Sequence, residues 1–232
     1  MPNNDVLMVL TQKTAAHLSN HQEKLRNICW SDGEANLDTE YSQLACRCCT
    51  TAWLDFQLEN PCFTGISIEC QSPDINITFS EPDAEPKKFK IELKSCKGEK
   101  LALGSTIGTL NPNIPLIYCL RQPDGTCRIR WSQYHVAMNM GPMDTFNDRT
   151  PRPPVIFDRM NEITQENVRF VEVPNPQGRW YIPHYAECAL RRINNGKNTW
   201  QDEMIRHLKQ MIIREFIQNT TPKEFEEIKK SQ

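Results

Sequence analysis

The sequence predicts an α/β protein, with strands concentrated in the middle of the chain and helices toward both ends. Three observations lead there. Apolar residues recur at helical spacing in residues 5 to 28 and 199 to 218. Between these segments, Pro73 to Phe79 and Phe89 to Ser95 alternate apolar and polar residues, as strands with one buried face do. Further on, Gln122-Pro123-Asp124-Gly125-Thr126 is a turn sequence set between two β-prone runs.

Composition sets the class. At 232 residues, 38% of them hydrophobic and 24% charged, the chain has material for one substantial core and reads as a soluble globular protein. No apolar run approaches the roughly twenty residues of a membrane helix, and the amino terminus has no basic leader. The expectation is a cytoplasmic protein without a membrane partner. Among the ten cysteines, Cys46 and Cys49 have CxxC spacing, but no second pair stands at zinc-finger distance. The thiols therefore read as reduced and mostly buried. The net charge of -2 hides a division: residues 1 to 86 hold 4 basic and 13 acidic residues, and residues 87 to 232 hold 23 and 16. An anionic partner is expected to meet the second half.

In chain order, residues 5 to 28 read as one or two amphipathic helices, with His17 and His21 four apart on one face. Residues 30 to 38 read as a loop, and Thr39 as the cap of a helix over 40 to 59 that Asn60-Pro61 ends. Glu69 falls on a strand before Asp74. The two alternating runs follow, joined by a polar, Pro-bearing connection. Gly104, Gly108, Pro112 and Pro115 leave room only for a short helix around 103 to 110. Residues 116 to 122 and 126 to 135 are expected to form a hairpin whose second strand carries Arg128, Arg130 and Ser132 on one face, with Gln133, Tyr134 and His135 nearby. Residues 139 to 155 read as a long loop that could wrap a ligand or as a linker to a C-terminal subdomain, and Phe170 to Val173 with Trp180 to Pro183 as a second hairpin. Arg191-Arg192 opens a basic polar segment, the helix over 199 to 218 has an apolar side suited to core or to a dimer face, and a last short helix follows Thr221-Pro222.

The chemistry is concentrated in the two alternating runs. Because successive side chains take opposite faces of a strand, Phe89, Ile91 and Leu93 face one way and Lys90, Glu92 and Lys94 the other. If the preceding strand pairs beside this one, Asp74 enters the polar face at its end. Two carboxylates and an ammonium then reach one point. Carboxylate oxygens hold a hard divalent cation, which can neutralise a phosphodiester and lower the pKa of an attacking water. A lysine beside it supplies fixed positive charge or, with a depressed pKa, a base.

Pro73-Asp74, seventeen intervening residues and then Glu92-Leu93-Lys94 resembles the PD-(D/E)XK nuclease superfamily, and within it a type II restriction endonuclease. Pro82-Asp83 is the weaker partner for Glu92, since no strand-like run follows it. The resemblance implies a restriction-endonuclease-like fold, a mixed central sheet of four to five strands flanked by helices, with added hairpins and C-terminal helices. It implies one nuclease domain over residues 1–232, with a catalytic core at about 40–120 and elements for DNA recognition and dimerisation at about 121–232. Asp74, Glu92 and the Leu93 carbonyl are then the expected Mg²⁺ ligands and Lys94 the residue that positions or activates water. The implied reaction is cleavage of double-stranded DNA at a specific short sequence by a homodimer. Lys97, Arg128, Arg130, Gln133, Arg191 and Arg192 are candidate DNA contacts, and Glu40, Asp55, Glu59 or Glu69 a candidate further acid. A repair or junction-resolving nuclease shares this site, whereas a non-enzymatic nucleic-acid-binding or virion protein would not cut.

Overall fold

The computed structural model describes residues 3–28, 30, 39–61, 66–71, 74–79, 86–101, 110–138, 154–165, 168–174 and 204–212. They fall in two compact units, one of residues 1–139 with 144–180 and one of 140–143 with 181–232. In the second unit the described segment, 204–212, is helical and leaves Met211 and Ile212 exposed. Neither the second strand expected at 180–183 nor the helix after Thr221 lies within the described residues.

The first unit begins with helices α1 (Asn3–Ser19), α2 (Gln22–Asn27) and α3 (Thr39–Glu59). Strands β1 (Ile66–Gln71), β2 (Asp74–Phe79), β3 (Lys87–Cys96), β4 (Lys100–Leu101), β5 (Pro115–Arg121) and β6 (Cys127–Gln133) follow. The short helix α4 (Tyr134–Ala137), strand β7 (Val155–Ile156) and a 3-10 turn at Phe157–Arg159 complete the described elements. Five strands form one sheet in the order β1-β2-β3-β5-β6, in which β3 and β5 run parallel and the other neighbours antiparallel. The fold is therefore α/β with a mixed five-stranded sheet flanked by helices. Its sheet extends to Gln133, past the expected core boundary near residue 120.

Alternation decides which face is buried. Ile75, Ile77 and Phe79 of β2, with Ile91 and Leu93 of β3, share a core with α1 and α3. Each isoleucine there is fully enclosed and contributes about 1.5–3 kcal/mol of burial. β5 is buried along both faces from Pro115 to Leu120, as expected of a central strand with a parallel neighbour. Consecutive burial of Val6, Leu7 and Met8 shows that α1 is covered on more than one side. Gln22 extends this packing, since its amide group both donates to and accepts from the Cys127 backbone at 2.9 and 3.0 Å.

The predicted hairpin turn forms. Gly125 adopts φ +83°, a left-handed conformation that costs a residue with a Cβ, and Thr126 hydrogen-bonds to Asp124 Oδ1 through both its backbone N–H and its hydroxyl. The second strand stops at Gln133, however, instead of reaching His135. The amides of Tyr134 and His135 donate to the carbonyls of Ile114 and Pro112, each at 3.1 Å, and this turns the chain into α4. Phe170 to Val173 do not form a strand either. Their amides are held one by one by side chains: Phe170 by Asp5 at 3.3 Å, Val171 by Gln133 at 2.9 Å and Val173 by Asn113 at 2.8 Å. A two-stranded pairing of β4 with β7 was not anticipated, since Val155 lies in the stretch read as loop. The short helix expected around 103 to 110 falls almost wholly outside the described residues. The seven described cysteines are free thiols, and no described helix is long and apolar enough to cross a membrane.

Candidate active site

β2 and β3 pair antiparallel with Ile75 opposite Ile91 and Asn76 opposite Lys90. This register brings Asp74, at the start of β2, to the level of Glu92 on the polar face of the sheet. The next strand continues the rows across the sheet: Glu92 pairs with Leu116 and then Ser132, Lys94 with Tyr118 and then Arg130. Asp74, Glu92 and Lys94 are thus brought together. Lys94 Nζ donates to Glu92 Oε1 at 2.5 Å, and Lys90 Nζ lies 2.7 Å from Asp74 Oδ2 and 3.8 Å from Glu92 Oε2. The Asp74, Glu92 and Lys94 side chains are 15%, 18% and 22% exposed, so their charges act on one another with reduced screening.

Two further features mark this face. Asp74 Oδ1 is buried and has no hydrogen-bond partner, and the hydroxyl of Tyr134, a residue only 1% exposed, is enclosed beside Glu92. Leaving an atom such as Asp74 Oδ1 unpaired costs about 1–3 kcal/mol, and Tyr134 converges on the same point, acting electrostatically on both Glu92 and Asp74. Burial, followed by those two carboxylates, pushes the phenol far above its ordinary value, so it remains a proton donor. Burial also pushes the Glu92 carboxyl up, but Lys94, Tyr134 and Lys90 together outweigh it and hold the group below the usual carboxylate range. For Lys90, burial pulls downward, yet Asp74 and Glu92 prevail and keep the ammonium above its ordinary value.

Mg²⁺ is the ion whose habits can be compared with this pair of carboxylates. That ion keeps several waters and is held by one or two carboxylates, not by an all-protein cage. Among the described residues no three His, Cys, Asp or Glu side chains converge on one point. The side chains here that could hold such an ion are Asp74 and Glu92, with the backbone of β3 as a further source of oxygen. The described β2 ladder reaches β3 only as far as Ile91, so beyond it that edge of β3 lacks a described ladder partner. The unpaired Asp74 Oδ1 has lone pairs to offer.

The candidate further acids are not at this point. Asp55 pairs with His17 at 2.8 Å and Glu59 with Lys13 at 2.9 Å, both directed from α3 toward α1 on the opposite side of the sheet. Glu40 is exposed in the first turn of α3. Glu69 faces the same way as Asp74 but stands one strand further out, opposite Asn76, and is exposed.

The expected DNA contacts divide. Lys97 is exposed, and Arg128 is half exposed, 3.8 Å from Glu99. Arg130 has other duties: its guanidinium donates to the Phe157 carbonyl, Asp158 and Glu162 at 3.0–3.2 Å and lies over the Phe157 ring. Gln133 is 2% exposed, and its amide donates to the Asn113 and Val171 carbonyls while accepting from the Val171 N–H. These two residues hold the fold and do not present themselves to a ligand. Arg191 and Arg192 lie outside the described residues.

Sequence reasoning placed Lys90 on the polar face without giving it a role, and it put Tyr134 in the wrong element. The i−2 relation to Glu92 was a usable signal for Lys90. No local signal connects Tyr134 to a strand two places away. No protein-family model, no curated protein and no solved structure matches the chain.

Proposed function

We propose that this protein is a Mg²⁺-dependent endonuclease acting on double-stranded DNA at a short specific sequence. The supporting observation is the meeting of Asp74, Glu92 and Lys94 on one partly buried face, in a register that gives their Pro-Asp and Glu-x-Lys motif a physical rationale. Asp74 and Glu92, with the carbonyl of Leu93, hold the cation. When bound, it supplies charge neutralisation and a water of lowered pKa. Lys94 stays beside Glu92 and provides the fixed positive charge that orients water or phosphate. Tyr134 closes the buried side of Glu92 and limits how far that carboxylate can turn away. Hydrolysis leaves a 5′-phosphate and a 3′-hydroxyl. Cutting both strands of a palindrome takes two copies related by a twofold axis, so the active species is a homodimer.

The test is incubation of unmethylated plasmid with purified protein and millimolar Mg²⁺, with sequencing of the ends. Discrete fragments are expected, and a smear would replace site-specific cutting by a repair-type activity. Glu92→Gln and Lys94→Met should cut at least about a thousandfold more slowly, the scale of losing several kcal/mol of charge stabilisation, while DNA binding persists. Intact plasmid at every Mg²⁺ and Mn²⁺ concentration would leave only a non-enzymatic DNA-binding role.

A further inference from the structure

Lys90 is the residue of this cluster that the motif does not use, and it holds the central position. Its ammonium lies between Asp74 Oδ2 at 2.7 Å and Glu92 Oε2 at 3.8 Å, whereas Lys94 touches the other Glu92 oxygen. A cation shared by both carboxylates needs the place that Lys90 Nζ fills. The side chain is also able to leave. It is 37% exposed, and it lines a cleft of about 440 Å³ together with Asn76, Lys88, Asn111 and Asn113. A lysine stem can swing into such a space while its charge stays hydrated.

We propose that Lys90 is the resident counter-ion of Asp74 and Glu92 and that an arriving divalent cation exchanges with it, sending the ammonium into the neighbouring cleft. This rests on reading Asp74 and Glu92 as cation ligands. Charge gives the exchange a consequence. In the resting state the ammonium groups of Lys90 and Lys94 balance the carboxylates of Asp74 and Glu92, so the cluster is formally neutral. Once the ion enters and Lys90 remains near by, the same patch carries two excess positive charges. A phosphodiester is drawn to the site only after loading, although the first 86 residues are strongly acidic. The ammonium acts as a placeholder that keeps the carboxylates together without creating an anion site in advance.

Titration calorimetry with Mn²⁺ alone tests the exchange without reference to cleavage. Removing an internal competitor raises the fraction of binding-competent protein, so Lys90→Met should bind Mn²⁺ on the order of tenfold more tightly than wild type. Asp74→Asn should lose binding. Equal or weaker binding by Lys90→Met, with wild-type binding still dependent on Asp74, overturns the exchange and leaves the site reading intact. Absence of binding in both wild type and Lys90→Met removes the cation site and the exchange together. A measurement on the wild-type chain alone guards against a variant that fails to fold. Mn²⁺ should raise the acetylation rate of Lys90 relative to Lys88 in mass-spectrometric footprinting, and an unchanged ratio contradicts release of the ammonium.

Discussion

The contact between Glu92 and Lys94 yields the most quantitative prediction, through a double-mutant cycle of Glu92→Gln, Lys94→Met and both together. The two groups meet at 2.5 Å with side chains 18% and 22% exposed, which sets them apart from the exposed pairs whose coupling is 0.2–1 kcal/mol. Unit charges about 4 Å apart attract by about 4 kcal/mol at an effective dielectric near 20, and the burial that strengthens the attraction also penalises each charge. The balance is a coupling energy of about 1–2 kcal/mol, as for a charge-assisted hydrogen bond in a half-dry setting. The single variants should differ. Lys94→Met leaves a partly buried carboxylate with Lys90 at 3.8 Å as its nearest cation, whereas Glu92→Gln leaves an ammonium on a flexible stem that can turn to water. Lys94→Met should therefore be the more destabilising. Urea unfolding followed by tryptophan fluorescence measures all four corners. Repeating the cycle in millimolar Mg²⁺ should shrink the coupling, because Glu92 then serves the cation. A metal-free coupling below about 0.5 kcal/mol would place this pair among ordinary exposed ones and refute the reasoning.

Acid should lower stability in two stages. His135 is held below its ordinary value of 6.5 by burial, offset only in part by its bond to the Pro112 carbonyl. The unfolded chain therefore takes up that proton first as pH falls, and the stability present above pH 6.5 is lost below it. His21 is lowered as well, by burial and then by Lys24, His17 and Arg47, and it adds to the same window. Glu92, held below its ordinary value of 4.5, keeps its contribution until pH drops under that value. Thermal melts from pH 8 to 3 should show both declines, and His21→Gln with His135→Gln should flatten only the upper one. Gln133→Ala separates structural from DNA-binding duty. It leaves the Val171 N–H and two carbonyls without their partner and should cost about 1–3 kcal/mol in urea unfolding. DNA affinity should not change; a loss of about 1–3 kcal/mol in binding, with relaxed sequence preference, would return Gln133 to the DNA interface.

Much of this fold was legible because a strand's alternation and a turn's chemistry are local. Ile75, Ile77, Ile91 and Leu93 announce which face of β2 and β3 is buried, and that parity alone puts Glu92 beside Lys94. Gly125 announces the hairpin for a similar reason, as the residue best suited to φ +83° in the turn. Strand order across a sheet is a long-range property, and parity is silent about it. β5 enters between β3 and β6, and the amides that follow β6 bond to the carbonyls of Pro112 and Ile114 just before β5. Only that closure carries Tyr134 to Glu92, and only the antiparallel register, with Asn76 opposite Lys90, sets a second lysine against Asp74. The same limit explains Arg130 and Gln133. Both carry donor groups suited to nucleic acid and stand on the edge strand of the sheet, but Phe157, Asp158, Glu162 and Val171 beside it take up those donors. A side chain able to read a base is equally able to satisfy the backbone of an irregular segment. When such a segment packs alongside, its unpaired carbonyls and amides are always present, and a ligand only sometimes. Polar residues beside an irregular segment are thus poor candidates for recognition, and those on the open face of a regular strand, like Glu92 and Lys94, are better ones.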